Sequence, residues 1–243
     1  MERRNFVKAG ALISAGAAGA YALPLVTAWK VRAAGATAGQ RRWGMVVDLT
    51  RCRADCTACV EACRKENNVA FHGDPRWDVH RMRKVTLEST LAAGQASKPM
   101  LLLCNHCDEP PCATVCPIKA TYRREDGIVI VDPHRCMGCR YCVVACPYNA
   151  RYFNFRENPE QPNPRQPKRS HGVAESCTLC AHLLDRGEKP ACVTACARLG
   201  PKALHVGNLN DPDSDVSRLI RSQSVKRLRE ELGTEPKVFY VGL

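Results

Sequence analysis

Sixteen cysteines in a chain of 243 residues fall into four sets of four, with none left over. The sets are Cys52, Cys56, Cys59 and Cys63; Cys104, Cys107, Cys112 and Cys116; Cys136, Cys139, Cys142 and Cys146; and Cys177, Cys180, Cys192 and Cys196. Thiolates are soft ligands, and short looped runs let several of them converge on one metal group. Two other uses of cysteine fit the spacing poorly. Disulfide frameworks belong to small exported scaffolds, whereas cysteines two residues apart make poor staples and a chain of this length does not need them. Structural zinc also uses C-x2-C pairs, but it has no use for the C-x3-C step that closes every set. Iron-sulfur ligation accounts for the spacing of the second, third and fourth sets and for the closing step of the first.

The third set, CMGCRYCVVACP, reads C-x2-C-x2-C-x3-C-P. That run is used by bacterial ferredoxins with two cubane clusters, where three thiolates hold one cluster and the fourth reaches its neighbour. The second set (C-x2-C-x4-C-x3-C-P) and the fourth (C-x2-C-x11-C-x3-C) keep the same opening pair and closing step. In the first set three residues separate Cys52 from Cys56 (CRADC). Either the loop absorbs the extra residue, or one of these thiols is not a ligand and the cluster is incomplete or three-iron. A cubane saturated by four thiolates has no open site for a substrate, so the chemistry expected is electron transfer. No catalytic constellation, phosphate-cradling glycine loop or nucleotide fingerprint accompanies the cysteines. His106 and His182 stand beside cysteines, where a ligand or proton-relay role competes with plain hydrogen bonding.

The net charge is +12, from 36 basic and 24 acidic residues. The basic residues are scattered without an aromatic-studded groove, which argues against nucleic acid. An oxidised four-thiolate cubane carries about −2, so four add roughly −8 and most of the excess is internal compensation. Aromatic residues are only 6%; the material for a purely hydrophobic core is thin, and metal must help hold the fold. The chain opens MERRNFVK, with Arg3, Arg4, Phe6 and Lys8, which resembles a twin-arginine export signal. An apolar stretch from Ala9 to Ala28, basic Lys30 and Arg32, and Ala34-Gly35-Ala36 as a peptidase site follow. That route exports folded proteins, which suits cofactor insertion before export. A retained anchor is the alternative reading, since roughly 20 apolar residues can span a bilayer, but Ala, Gly and Pro24 make this a weak span. Removal of residues 1–36 takes away five basic residues and one acidic residue, leaving +8.

Several elements must position the sulfurs. TYRREDGIVIVD, Thr121 to Asp132, predicts a hairpin around Asp126-Gly127 that delivers the chain to Cys136, and Ala203 to Val206 predicts a weaker extended piece. Arg64 to Leu103, with Trp77, the basic stretch HRMRK and the apolar run Met100 to Leu103, reads as an insertion tying the sets together. Four prolines in Asn158 to Lys168 forbid helix or central strand and predict a stiff exposed connection. Asp213 or Ser214 can cap a helix carrying Val216, Leu219 and Ile220, with Gly233 as a stop near Leu232. The final FYVGL is too short to span a membrane and predicts a docked strand or tail.

The sets can pair as consecutive neighbours, or second with third and first with fourth; the short hairpin-containing link from Cys116 to Cys136 favours the latter. The crossing rule then groups Cys104, Cys107, Cys112 with Cys146; Cys136, Cys139, Cys142 with Cys116; Cys52, Cys56, Cys59 with Cys196; and Cys177, Cys180, Cys192 with Cys63. The expected fold is α+β and loop-rich. It comprises two ferredoxin-like dicluster modules, each with short β-hairpins and short helices after the cysteine runs. Residues 1–36 form the signal, 37–103 with 169–243 a discontinuous module, 104–157 the central module and 158–168 the Pro-rich connection.

CNHCDEPPCATVCP, GIVIVDPHRCMGCRYCVVACPYNARYFNF, GVAESCTLCAHLLDRGEKPACVTAC and HVGNLNDPDSDV run through some two thirds of the chain. With these motifs it resembles the four-cluster ferredoxin-like subunits of polysulfide, dimethyl sulfoxide, tetrathionate and nitrite reductase systems. The export signal, WGMVVDLTRC and LGTEPKVFYVGL are most similar to the DsrO type, the exported iron-sulfur subunits of DsrMKJOP complexes of dissimilatory sulfur metabolism. The resemblance implies four 4Fe-4S clusters in a non-catalytic subunit at the periplasmic face of the cytoplasmic membrane, associated with it through partners. Those partners would be a multi-span quinone-reactive subunit (DsrP-like) and a multihaem cytochrome (DsrJ-like). Alternatives are a subunit wired to a molybdopterin enzyme such as polysulfide or tetrathionate reductase, and a storage or assembly protein that merely holds clusters. Ala197, where the second and third sets have proline, and the CRADC spacing depart from the pattern. Metal should be integral to the fold, so the chain stripped of iron is expected to lose compactness, measured as an increase in hydrodynamic radius.

Overall fold

The computed structural model describes residues 41–87 and 98–243. The export segment and its alternative, the retained anchor, lie outside the described residues. The described chain is α+β and rich in loops, with one four-stranded sheet, three two-stranded sheets and short helices.

The largest sheet is assembled from both ends of the chain. Strand β1 (Trp43–Asp48) lies between β8 (Leu204–Asn208), antiparallel to it, and β10 (Val238–Val241), parallel to it; β9 (Val225–Arg227) closes the far edge. The predicted extended piece after the fourth set becomes β8, and FYVGL supplies most of β10. Side chains alternate across a strand, and β1 uses both faces. Met45 and Val47 join the core that contains most of the cysteines, while Val46 packs with Val216 and Val241 beneath helix α6 (Asp215–Ser222).

Helix α1 (Ala58–Asn67) carries Cys59 and Cys63 one turn apart, and α5 (Ala191–Arg198) does the same with Cys192 and Cys196. Residues at i and i+4 share a helix face. These four buried cysteines lie in the seam where the two helices pack. The insertion forms an antiparallel pair, β2 (Met82–Leu87) with β3 (Lys98–Leu103), whose second strand leads into Cys104. Tyr240 is fully buried and donates from its hydroxyl to Leu101 O at 3.0 Å, tying β10 to this pair.

Helix α2 (Pro111–Thr114) holds Cys112, and α3 (Tyr141–Ala145) holds Cys142. Between them, β4 (Thr121–Arg123) and β5 (Val129–Val131) make the predicted hairpin, with Gly127 at φ +81°. Strand β6 (Arg151–Asn154) pairs with β7 (Val173–Ser176) across the proline-rich segment, before α4 (Ala181–Leu184). That segment forms neither helix nor strand, but it is docked. Asn68 accepts from Asn163 N at 2.8 Å and donates to Gln166 O at 3.1 Å, and the buried Asn158 donates to Asn68 O at 2.7 Å.

Beyond α6 the expected helix stop moves. The helix ends at Ser222, β9 intervenes, and Gly233 at φ +63° closes only a 3-10 turn, Glu230–Leu232. Pairing of β9 with β10 outcompetes helix propensity there. Ser214 is the helix cap, accepting from Ser217 N at 3.2 Å. Ser214→Ala is expected to cost about 1 kcal/mol, measured as a lowered denaturant midpoint.

Candidate metal centres

All sixteen cysteines are free thiols, ten of them buried. Short backbone turns aim them. In the second, third and fourth sets the residue before the second cysteine of the opening C-x2-C is left-handed: His106 (φ +44°), Gly138 (φ +78°) and Leu179 (φ +50°). Such a residue reverses the chain tightly enough to turn both flanking sulfurs the same way, at a steric cost for any side chain but glycine. Residues 52–56 contain no positive φ. The additional residue of CRADC takes the place of the strained turn, and Lys84 Nζ braces the loop by donating to Arg53 O at 2.6 Å and to Cys56 O.

The sulfurs meet in groups that mix the sets. Cys52 interacts electrostatically with Cys56 and Cys196, and Cys59 with Cys196, Cys52 and Cys56. Cys63 interacts with Cys180, Cys177 with Cys63 and Cys180, and Cys192 with all three. Cys104, Cys107, Cys112 and Cys146 line one small pocket, shared with Tyr148 and Arg151. Cys142 interacts with Cys136, and Thr121 hydrogen-bonds both Cys142 and Cys116. Cys139 is the exposed member of the third set.

Burial pushes these thiols up, to about 11 for Cys59 and Cys107 and about 12 for Cys63, because a bare thiolate is poorly solvated there. Metal would reverse this by supplying the missing positive charge. Some burial pushes Cys116 up as well, but N–H donation from Thr121, Ala120 and Ile118 outweighs it and holds this thiol below its ordinary value. Backbone N–H groups also reach Cys177 Sγ from Leu179 (3.3 Å) and Cys196 Sγ from Ala203 (3.2 Å). Thiolates at one tetrahedral zinc would sit roughly 3.8 Å apart, given Zn–S bonds of about 2.3 Å. Among the described residues no group of three or more Cys, His, Asp or Glu converges tightly enough for a single ion. A polynuclear iron-sulfur group, whose thiolates sit at separate irons, does not need them to converge on one ion.

Polar side chains that motif reading missed surround the sulfurs. Asn67 donates to Cys180 Sγ at 3.5 Å, its amide oriented by Arg81 Nη1, which donates to Asn67 Oδ1 at 3.2 Å. Arg81 is buried and paired with Glu175 at 2.9 Å. Arg81 and Lys84 both belong to HRMRK, which looks like surface charge until the bend before β2 buries Arg81 and β2 half-buries Lys84. Both histidines beside cysteines are hydrogen-bonded: His106 Nδ1 accepts from Val129 N at 3.1 Å, and His182 Nε2 lies 2.8 Å from Glu66 Oε1.

Residues 99–203 match the model of the 4Fe-4S dicluster domain family, a span holding the second, third and fourth sets but not the first. The sequence is also 42% identical to Hdr-like menaquinol oxidoreductase iron-sulfur subunit 1 of Archaeoglobus fulgidus, covering 100% of this chain and 98% of that protein. It is 39% identical to a tetrathionate reductase subunit of Salmonella typhimurium (84% of this chain, 74% of that one). With a polysulfide reductase chain of Wolinella succinogenes the identity is 36% (83% and 94%). The protein belongs to this family of iron-sulfur electron-transfer subunits. Its cofactors are four 4Fe-4S clusters. Within this family fold the third-set loop depends on Gly138, where a Cβ would lie 2.5 Å from Gly172 O. Gly138→Ala is expected to empty that site, lowering iron content by about one quarter, measured by iron quantitation.

Proposed function

We propose that the protein is a linear electron relay at the extracytoplasmic face of the membrane, joining a quinone-reactive membrane subunit (DsrP-like) to other redox subunits, among them a multihaem cytochrome (DsrJ-like). When bound, the clusters supply one-electron carriers without an open coordination site. The observation that carries the reading is the order in which sulfurs of different groups approach one another. Cys59 interacts electrostatically with Cys63 and Cys192, Cys104 with Cys177, and Cys112 with Cys142. These interactions support a series of four ligand sets: Cys52, Cys56, Cys59 and Cys196; then Cys63, Cys177, Cys180 and Cys192; then Cys104, Cys107, Cys112 and Cys146; and last Cys116, Cys136, Cys139 and Cys142. The middle sets are the more enclosed, and partly exposed cysteines concentrate in the end sets.

Two dicluster modules follow from the same grouping. The discontinuous one draws on both chain ends, as the sharing of one sheet by β1, β8 and β10 and the packing of α1 on α5 support. Export of a folded protein by the twin-arginine route, carried by Arg3 and Arg4, keeps cluster insertion in the cytoplasm. Full-length similarity to a menaquinol oxidoreductase subunit favours the quinone-linked reading. Similarity to subunits of tetrathionate and polysulfide reductases supports a second one, a molybdopterin enzyme partner. Co-purification separates them, because recovery with a molybdenum subunit and no cytochrome supports the second.

The end beside Cys139 presents Met137, Tyr141 and Val144, the last 85% exposed, an apolar rim suited to a protein partner. Val144→Asp is expected to leave iron content unchanged while slowing cluster reduction by a menaquinol analogue in the reconstituted complex at least tenfold. Unchanged reduction would remove this face from the relay.

A further inference from the structure

Of the three fully buried cations among the described residues, Arg81, Arg151 and Lys237, only Arg151 has no acid; Arg169, less deeply placed beside Cys63 and Cys180, donates to Asn67 O instead. Arg151 is 3% exposed on β6, Nη1 donates to Thr121 Oγ1 at 3.2 Å, and Nε and Nη2 have no oxygen partner among the described residues. The other two deeply buried cations are neutralised, Arg81 by Glu175 and Lys237 by Asp108. A guanidinium cannot shed its proton, and burying it without an anion is costly. Arg151 lines the same pocket as Cys104, Cys112 and Cys146, and interacts electrostatically with those three and with Cys142. Those sulfurs come from two different ligand sets, three from the enclosed set and Cys142 from the exposed one.

We propose that Arg151 is a shared countercharge for the two clusters of the central module, raising both reduction potentials together. This rests on the ligand assignment proposed above. Added electrons increase the negative charge of a cluster, and a fixed cation nearby in a poorly screened interior favours the reduced form. The strand pairing explains why the charge is left free for this. Arg151 stands directly opposite Ser176 on β7, and opposite residues share a face, so the position where a carboxylate would neutralise it holds a serine whose Oγ is itself buried without a partner. Glu175, one residue earlier, is committed to Arg81 instead.

The test is an EPR-monitored potentiometric titration of the full chain loaded with clusters. Cys107→Ser and Cys136→Ser first assign the two central signals, each altering one of them; if either alters a different signal, the ligand assignment fails and Arg151 is not at issue. Arg151→Met is then expected to disfavour reduction of both central clusters about tenfold, about 59 mV for a one-electron couple, with the other two unmoved. Arg151→Lys should restore most of the loss. Should Arg151→Met lose iron, Ser176→Asp carries the test, because a carboxylate opposite the intact arginine must lower the same two potentials. A shift confined to one cluster, an equal shift in all four, or none overturns the proposal.

Discussion

Anionic sulfur is hard to bury. A thiolate leaving water loses solvation that apolar neighbours cannot return, which is why Cys59, Cys63 and Cys107 are held as thiols well above their ordinary range until metal arrives. Every other feature of the chain works within that constraint. Iron supplies most of the positive charge, and backbone N–H groups at Cys116, Cys177 and Cys196 supply part of the remainder. Lys84 and Arg151 bring whole charges toward the sulfurs from strands, and Arg81 does so from the bend before β2. The surplus of basic residues thus has an internal use, and a nucleic-acid partner is not needed to account for it.

The same constraint shapes the topology. Sulfurs arriving from sequence-distant sets must be enclosed together, and enclosure needs continuous secondary structure around them. Helices α1 and α5 provide a seam in which cysteines from both chain ends face inward. The parallel pairing of β1 with β10 then brings the last strand alongside the first. Since β1 is buried on both faces, one strand serves the cysteine-containing core with Met45 and Val47 and anchors α6 with Val46.

Local features were legible in the sequence, and long-range ones were not. The cysteine sets, the hairpin around Gly127 and a helix cap at Asp213 or Ser214 depend on residues a few positions apart, so spacing reveals them, and the structure chooses Ser214 as the cap. Parallel pairing of β10 with β1 joins segments at opposite ends of the chain, and nothing in FYVGL says which strand it will meet. The end of α6 at Ser222 was hidden for a similar reason, because the competing state is a strand pairing with β10. Arg81 and Arg151 were invisible as site residues. Each is an arginine in a basic protein, distinguished only by its placement, Arg151 by the register of β6 and Arg81 by the bend that precedes β2. The left-handed residues at 106 and 179 were missed because His and Leu carry none of the signal that glycine gives at 138.

The irregular first set shows how the constraint can be met another way. A C-x2-C loop turns its sulfurs together by forcing one residue into a left-handed conformation, which stores strain in the loop. With one more residue, Cys52 to Cys56 turns without that strain, at the cost of a longer loop that needs an external brace. Lys84 is that brace. Its ammonium binds the Arg53 carbonyl at 2.6 Å and the Cys56 carbonyl, and its charge also lowers the burden of burying Cys52 and Cys59. Cys52 and Cys56 both interact with Cys59, which supports a loop that absorbs the extra residue over one that gives up a ligand. The backbone therefore shapes the third-set end of the series through Gly138, whereas a side chain from the insertion shapes the first-set end.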